Sequence, residues 1–179
     1  MRRLEVADLT LATLDALDVE ALALLVGPER PLQGLAGLVD WRLCGALTRA
    51  LRDGLYGGAP GEALLLPAGG RLRVPRVVAL GLPSPDRPAD FQAAVRNAGE
   101  VLRKAGVGSF ATSLPPVDGA DAAQVARLWL EAGEGAPQAR QVLLGDARAL
   151  LQALSAARDA AGTAVEIAPF TVRPGPMVR

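Results

Sequence analysis

The stretch ALALLV at 21–26 constrains the fold more than any other part of the sequence. Six apolar residues in a row, without the alternation of a half-exposed strand, are typical of a strand covered on both faces. A sheet that contains such a strand needs a layer of other elements on each side. The run therefore favours a layered domain in which the sheet lies at the centre.

Further short apolar runs recur along the chain, with helical patterns between them. Strands are predicted at residues 4–9, 21–26, 62–67, 76–83, 109–114, 140–145 and 164–170. Helices are predicted at 31–54, 90–106, 118–133 and 146–162, where apolar residues recur at spacings of three and four. This order predicts an α/β fold: a three-layer α/β/α sandwich around a mixed, mostly parallel sheet.

Residues 1–170 are predicted to form one domain, and the proline-broken segment 171–179 is predicted to be a tail. A chain of 179 residues fits a single domain, and no charge block or low-complexity linker divides it. Helix ends are indicated by Gly54, Gly106 and Gly162. Candidate N-caps are Asp118 or Asp121 for the third helix and Asp146 for the fourth.

Composition excludes several classes of function. The chain has 19 basic and 19 acidic residues, so it has no bulk attraction for nucleic acid or for an anionic membrane. It has no histidine, which removes the commonest general base and the commonest zinc ligand. The only cysteine, Cys44, is interpreted as a small buried residue on a helix. Glu5 and Asp8 interrupt the N-terminus before a signal peptide can develop, no apolar run spans a bilayer, and a cytoplasmic location is expected.

The glycine-rich stretch GLYGGAPGEALLLP at 54–67 raises the question of a phosphate-binding loop. Such a loop follows a strand and precedes a helix, whose positive N-terminal end faces the anion. Here the predicted order is reversed, because a helix ends near Asp53 and a strand begins near Ala63. Glu62 and Ala63 also stand where a P-loop has lysine and a hydroxyl residue. We interpret the stretch as a connection that needs positive φ at several glycines.

Other chemistry-bearing residues do not form a convincing site in the sequence. Asp15, Asp18 and Glu20 lie together between two predicted strands, where they form either a cation site or, as we favour, a solvated turn. The pairs Asp118 with Asp121 and Glu131 with Glu134 lie at helix ends, where solvated acids are common. The remaining candidates have a structural interpretation: Trp41 and Trp129 as packing or partner-facing residues, Lys104 as a solvated amine, and Ser84, Ser109, Ser113 and Ser155 as serines without an activating base. No catalytic, cofactor-binding or metal-binding residue is predicted.

Two segments carry a resemblance to a known family. GPERPLQGLAGLVDWRLCGALTRALRDGLYGGAPGEALLLP at 27–67, followed by RVVALGLP at 76–83, resembles the N-terminal domain of the leucyl aminopeptidase (cytosol aminopeptidase) family. The similarity covers about residues 1–170 and is most specific at 28–83. The matching positions are Pro31, Leu32, Gly34, Asp40, Gly45, Leu47, Tyr56, Gly57, Gly61, Glu62, Arg76, Val77, Gly81 and Leu82. The chain departs from the family pattern at Cys44, Ala59 and Pro83, where the family has glycine, lysine and glycine.

The resemblance implies a macro-domain-like fold that helps to pack subunits into hexamers. In the family, the two-metal peptidase centre belongs to a separate C-terminal domain with the signature N-T-D-A-E-G-R, and this string does not occur in the chain. The resemblance therefore predicts no enzyme activity and no cofactor for these residues. It predicts an assembly or protein-interaction module that self-associates or binds a protein partner, such as an aminopeptidase. Alternatives are a macro-type module that binds a nucleotide or an ADP-ribose-like ligand, a nucleic-acid-binding domain, which the neutral charge disfavours, and a fragment of a metal-dependent aminopeptidase.

Overall fold

The computed structural model describes residues 2–27, 30–82, 88–115, 117, 119–134 and 138–172, with Pro88 described by its backbone only. The elements run in the order β1 (Arg2–Asp8), α1 (Leu11–Ala16), β2 (Ala21–Val26), α2 (Gly34–Arg42), α3 (Ala46–Arg52), β3 (Ala63–Pro67), β4 (Arg76–Gly81), α4 (Pro88–Lys104), β5 (Ser109–Thr112), α5 (Ala122–Ala132), β6 (Arg140–Gly145), α6 (Ala147–Ala161) and β7 (Val165–Pro169). The predicted alternation of strands and helices is confirmed.

The seven strands form one sheet in the order β3-β4-β2-β5-β6-β1-β7. All neighbouring strands are parallel except β3 and β4, which are antiparallel, so the sheet is mixed and mostly parallel as predicted. The strand β2 lies near the centre, between β4 and β5, and five of its six residues are buried. Its continuous apolar sequence therefore reflects burial on both faces.

Two hydrophobic cores lie on opposite faces of the sheet. One is built by α4, α5 and α6 around Phe91, Trp129 and Leu154, and the other by α1, α2 and α3 around Leu14, Val39 and Leu47. Because successive residues of a strand point to opposite faces, each inner strand supplies side chains to both cores. The three-layer α/β/α architecture is confirmed.

The prediction of a single helix at 31–54 is wrong, because the structure has two helices there, α2 and α3. The break occurs at Cys44 and Gly45, which have φ of 54° and 77° in the left-handed region. The side chain of Asp40, which is 8% exposed, then holds the start of α3: its carboxylate accepts hydrogen bonds from Leu47 N at 2.8 Å and Thr48 N at 3.1 Å. The apolar spacing predicts the buried side of both helices correctly, but it does not reveal the turn between them.

The helix α1 is the second difference from the prediction, since residues 11–16 had no helical assignment. It has only six residues, fewer than an amphipathic pattern needs to become visible. The hydroxyl of its N-cap Thr10 accepts a hydrogen bond from Thr13 N, and Leu14 faces the core. Tertiary packing thus stabilises a helix too short to be stable by itself.

The predicted helix caps at Asp121, Asp146 and Gly162 are confirmed. Asp121 forms a capping box with Gln124 at the start of α5, and the side chain of Asp146 accepts a hydrogen bond from Ala149 N in α6. Gly162 ends α6 with φ of 64°. Asp118, the alternative cap of α5, lies outside the described residues.

Candidate functional site at the carboxyl edge of the sheet

The carboxyl ends of the parallel strands are the first place to look for a site. In open α/β sheets, ligands bind outside these ends, at the point where successive connections run in opposite directions. Here that point lies between β2 and β5: the chain leaves β2 towards β3 and β4, whereas it leaves β5 towards β6. The loop at 53–62 and the first turn of α6 approach this edge from its two sides.

The glycine-rich loop packs against the ends of β2 and β4. A Cβ atom on Gly81 would lie 1.8 Å from Ala59 O, and one on Gly58 would lie 3.6 Å from Val26 O. Only glycine at position 81 permits this close approach of the two backbone segments. Gly54, Gly58 and Gly61 have φ of 72°, 74° and 88°, so the predicted need for positive φ at several glycines is confirmed.

The carboxylate of Glu62 fills the anion position of this loop. Its Oε2 accepts hydrogen bonds from Gly57 N and Ala59 N, both at 2.9 Å. The buried phenol of Tyr56 lies nearby, and burial raises its pKa, as does the negative charge of Glu62, while the positive charge of Arg30 lowers it. The loop therefore does direct amides at an anion, but the anion is a side chain of the loop itself.

The N-terminus of α6 is also bonded to carboxylates. Ala147 N donates to Asp8 Oδ1 and Ala149 N donates to Asp146 Oδ1, each at 2.9 Å. Asp8 is the last residue of β1 and Asp146 directly follows β6, so both negative charges stand at the carboxyl edge of the sheet. A phosphate placed on this helix end would have to displace them or be repelled by them.

An open groove of about 400 Å³ lies beside this helix end. Its walls come from the segment after β5, from α5 and from α6, and they include Leu114, Val125 and Leu150. Asp146 is the only charged residue among its described lining residues. The groove can accept apolar surface, but it offers an incoming anion no basic side chain from the described part of the chain.

The acidic residues at 15–20 do not converge. Arg42 Nη2 lies 2.6 Å from Asp15 Oδ2, and Arg140 Nη2 lies 2.8 Å from Asp18 Oδ1. Glu20 lies 3.4 Å from Arg76 Nη2 and also accepts a hydrogen bond from Gly108 N at 3.1 Å. Within the described ranges, no group of three or more acidic, histidine or cysteine residues could hold a metal ion.

Sequence reasoning missed the buried ion pair behind Asp18. Glu5 is 1% exposed, and its carboxylate lies 2.7 Å from Arg140 Nη2 and 2.9 Å from Arg3 Nε. Burial by itself lowers the pKa of Arg140, but hydrogen bonds to Glu5 and Asp18 raise it overall. The alternating sequence of β1 suggests a half-exposed strand, whereas β1 lies inside the sheet, hydrogen-bonded to β6 and β7, and two arginines neutralise Glu5.

The interpretation of Cys44 as a buried helical residue is wrong. Cys44 is exposed and lies in the turn between α2 and α3, where its Sγ accepts a hydrogen bond from Arg71 Nη1 at 2.8 Å. The turn needs left-handed φ at two successive residues, and this places the side chain outside the core.

The two tryptophans have different environments. Trp129 is buried, and its Nε1 donates to Gln141 Oε1 at 3.3 Å. Trp41 is 65% exposed, with the Arg42 guanidinium 5.9 Å from the centre of its ring. Packing is thus the role of the first, while the second lies at the surface.

The other residues considered in the sequence remain apart. Lys104 is exposed at the end of α4 and lies 3.9 Å from Glu100 Oε1. Glu131 accepts a hydrogen bond from Gln92 Nε2, and Glu134 accepts one from Thr163 Oγ1. Ser109 Oγ accepts a hydrogen bond from Glu20 N, while Ser84 lies outside the described residues. The absence of catalytic and binding residues stays a prediction.

Comparison with solved structures identifies the fold. The Oceanobacillus iheyensis macrodomain with ADP has a TM-score of 0.67 at 15% identity, covering 88% of this chain and 90% of that one. The macrodomain of Mycobacterium tuberculosis DarG has a TM-score of 0.61 at 18% identity, covering 81% of this chain and 99% of that one. At these identities the similarity shows the fold alone, which is macrodomain-like.

A tomato leucine aminopeptidase mutant has a TM-score of 0.58 at 15% identity over 88% of this chain, which spans only 36% of that enzyme. No curated protein sequence matches the chain. The family model for the N-terminal domain of the cytosol aminopeptidase family matches residues 23–139, which is more than half of the chain. The chain therefore belongs to the cytosol aminopeptidase family, through the N-terminal domain of that family.

Proposed function

We propose that this domain is a non-catalytic assembly module that self-associates by antiparallel pairing of β3 with β3 of a second copy. The observation that carries the proposal is the free edge of β3. This strand ends the sheet, and its central residue Leu65 is 61% exposed. Exposed strand edges of this kind are templates for pairing with another chain.

The register of β3 identifies the backbone groups on the free edge. Gly81 N donates to Glu62 O, and Ala68 N donates to Pro75 O. Because bonded pairs alternate along an antiparallel ladder, Leu64 and Leu66 direct their backbone groups at β4. Residues 63, 65 and 67 therefore direct theirs away from the sheet.

These outward groups match those of a second copy about a two-fold axis. With Leu65 opposite Leu65 of the second copy, each N–H meets the other C=O, and Ala63 N–H meets the Pro67 carbonyl oxygen. Pro67 has no N–H, so pairing ends there and does not extend further along the chain. Leu65 points to the face opposite the one on which Leu64 and Leu66 pack, and the pairing would bury it.

The carboxylates at the carboxyl edge support a non-catalytic role. Glu62, Asp8 and Asp146 occupy the backbone amides that a phosphate would need. The alternative, a site for a nucleotide or an ADP-ribose-like ligand, is supported by the similarity to the macrodomain with ADP and by the open apolar groove. Self-association is favoured over it because the β3 edge is unobstructed in the described residues, whereas the amides are bonded.

Residues 1–170 remain our proposed domain, with a tail at 171–179. We also propose a cytoplasmic location, which the family description as cytosol aminopeptidases supports. No helix in the described ranges is long and apolar enough to cross a membrane. We further propose that the domain can associate with an aminopeptidase of the same family, because the chain spans only 36% of the length of the tomato enzyme.

Light scattering during size-exclusion chromatography over a range of concentrations tests self-association. We expect a dimer whose population grows with concentration, and we expect Leu65→Pro to be monomeric because it removes the outward N–H while leaving the bonds of Leu64 and Leu66 to β4. Leu65→Thr retains the N–H and should give a weakened dimer. Leu55→Ala removes another exposed leucine, 76% exposed, and should not change the dimer.

Circular dichroism controls for folding of each variant. A wild-type protein that is monomeric at every concentration, or a folded Leu65→Pro variant that remains dimeric, contradicts pairing through β3. Hydrolysis of leucine amide by the purified protein with manganese or zinc contradicts the non-catalytic role and supports the third alternative, part of a metal-dependent aminopeptidase.

A further inference from the structure

A second cavity, which shares no lining residue with the groove beside α6, lies between α4, α5 and the sheet. Its volume is about 180 Å³, and it is open to solvent on one side. Apolar side chains form most of its wall, among them Leu25, Val95, Phe110 and Trp129. Its rim carries the charged residues Arg96, Glu100 and Glu134, so the charges surround the entrance and not the interior.

Among the described residues that line this cavity, one buried side-chain oxygen has no hydrogen-bond partner. Gln138 is 1% exposed, and its Nε2 donates to Gly99 O at 2.8 Å. A carbonyl oxygen can only accept, so this bond requires the amide nitrogen of Gln138 to face Gly99 and fixes the orientation of the amide. Gln138 Oε1 is buried and has no hydrogen-bond partner among the described residues.

The side-chain oxygens of the other polar residues of the inner wall, Gln141 and Thr112, have partners. Gln141 Oε1 accepts from Trp129 Nε1 at 3.3 Å, and Thr112 Oγ1 donates to Ser113 O at 3.4 Å. A buried acceptor without a donor is unfavourable, and most such groups in folded proteins are satisfied. The cavity therefore lacks one hydrogen-bond donor, and that donor has to come from outside the described protein.

We propose that this cavity binds a small neutral molecule of about one ring, apolar except for one O–H or N–H group that donates to Gln138 Oε1. The size follows from the volume, because an apolar protein cavity of about 150 Å³ is known to hold benzene. Neutrality follows from the apolar inner wall, where an unpaired charge would be costly. The site is independent of β3 and of self-association.

Phenol and toluene form a matched pair of probes, because they differ by a hydroxyl in place of a methyl group. Trp129 lines the cavity and reports binding by its fluorescence, and a Trp41→Phe background makes it the only tryptophan of the chain. We expect phenol to bind about tenfold more tightly than toluene, since one hydrogen bond to a buried acceptor has an effect of this size. Toluene is the more apolar probe, so the hydrophobic effect alone would give the opposite order.

Two variants locate the donor contact. Gln138→Leu removes the acceptor and should abolish the preference for phenol. Gly99→Ala keeps the acceptor but adds a methyl group 3.8 Å from Gln138 Oε1, and it should weaken phenol and toluene alike. If Gln138→Leu does not fold, Gly99→Ala still tests the location, because alanine favours the helix.

Three results would overturn the proposal. Equal affinity of the wild-type protein for phenol and toluene would show that no hydrogen bond to Gln138 Oε1 contributes to binding. No binding of either probe would leave water as the only occupant of the cavity. Unchanged affinities in Gly99→Ala would place any binding elsewhere.

Discussion

Carboxylates bond to the free backbone amides of this domain at several separate places. The carboxylates of Asp40, Asp121 and Asp146 accept hydrogen bonds from backbone amides at the starts of α3, α5 and α6. The carboxylate of Glu62 accepts them from amides of the glycine-rich loop. Hydrogen bonds from amides to an ionised carboxylate are stronger than those between neutral groups. Each of these residues therefore stabilises a local structure and, at the same time, removes a position at which an external anion could bind.

The side chain of Tyr56 is buried without a hydrogen bond to its hydroxyl in the described part of the chain. Its side chain is 3% exposed, and its hydroxyl has no hydrogen-bond partner among the described residues. We expect Tyr56→Phe to raise the free energy of unfolding by about 1 kcal/mol, because a buried unsatisfied hydroxyl costs about 1–3 kcal/mol. Urea denaturation at neutral pH measures this, and a destabilised variant would reveal a bond to the hydroxyl.

The same residue predicts a loss of stability at alkaline pH. Burial, chiefly, raises the pKa of Tyr56 in the folded protein. The phenol of the unfolded chain ionises at about pH 10. The stability that the neutral, buried phenol contributes is therefore fully present below that pH and is lost as the pH rises towards the pKa of the folded state. Tyr56 is the only tyrosine, and tyrosinate absorbance at about pH 11 should appear in the urea-unfolded protein but not in the folded one. Ionisation near the same pH in both states would contradict the buried phenol.

Among the elements, periodicity predicts the long helices and the inner strands but not the breaks. The apolar stripe of α4 is visible because the helix has 17 residues and one face packs on the sheet. The division between α2 and α3 depends on two left-handed residues and on the buried carboxylate of Asp40, which a pattern of apolar spacing does not contain. The role of Glu62 cannot be predicted from the sequence for a similar reason, because its hydrogen-bond partners are backbone amides that the fold of the loop brings close to it.

Two glycine-to-alanine substitutions should have opposite effects on the elements that contain them. Gly45 has φ of 77° at the start of α3, so Gly45→Ala should lower the free energy of unfolding by about 1 kcal/mol, since alanine is strained there. Gly99 lies inside α4 without positive φ, and a Cβ atom there meets only Gln138 Oε1 at 3.8 Å. Gly99→Ala should raise stability by about 0.5–1 kcal/mol.

Thermal denaturation of the two variants beside the wild-type protein compares them directly. The turn between α2 and α3 would not need a left-handed residue if Gly45→Ala were as stable as the wild type. A destabilised Gly99→Ala would mean that the cavity near Gln138 is closed in solution.

At the scale of the whole molecule, the sequence predicts the layers but not the order of the strands. The apolar run of β2 requires two covered faces, and this is enough to predict three layers. Which strand lies at the edge depends on long-range pairing: β3 and β7 end the sheet, whereas β1 lies inside it. The burial of Glu5 and the exposure of Leu65 both follow from this order, and for that reason neither could be predicted from local patterns.

The macrodomain-like architecture also predicts how the molecule responds to nucleotides. The fold is similar to a macrodomain with ADP, yet Asp8, Asp146 and Glu62 place negative charge on the amides at the carboxyl edge. We expect ADP and ADP-ribose at millimolar concentration to leave the melting temperature unchanged.

Scanning calorimetry tests this expectation, because a ligand at about a hundred times its dissociation constant would add about 2.7 kcal/mol to the free energy of unfolding. Asp146→Asn keeps the cap of α6 while removing one negative charge, and it provides the matched comparison. A rise in melting temperature that grows with ADP concentration in the wild-type protein would show that phosphate displaces the carboxylates from these amides, and it would favour the ligand-binding alternative as the function of the domain.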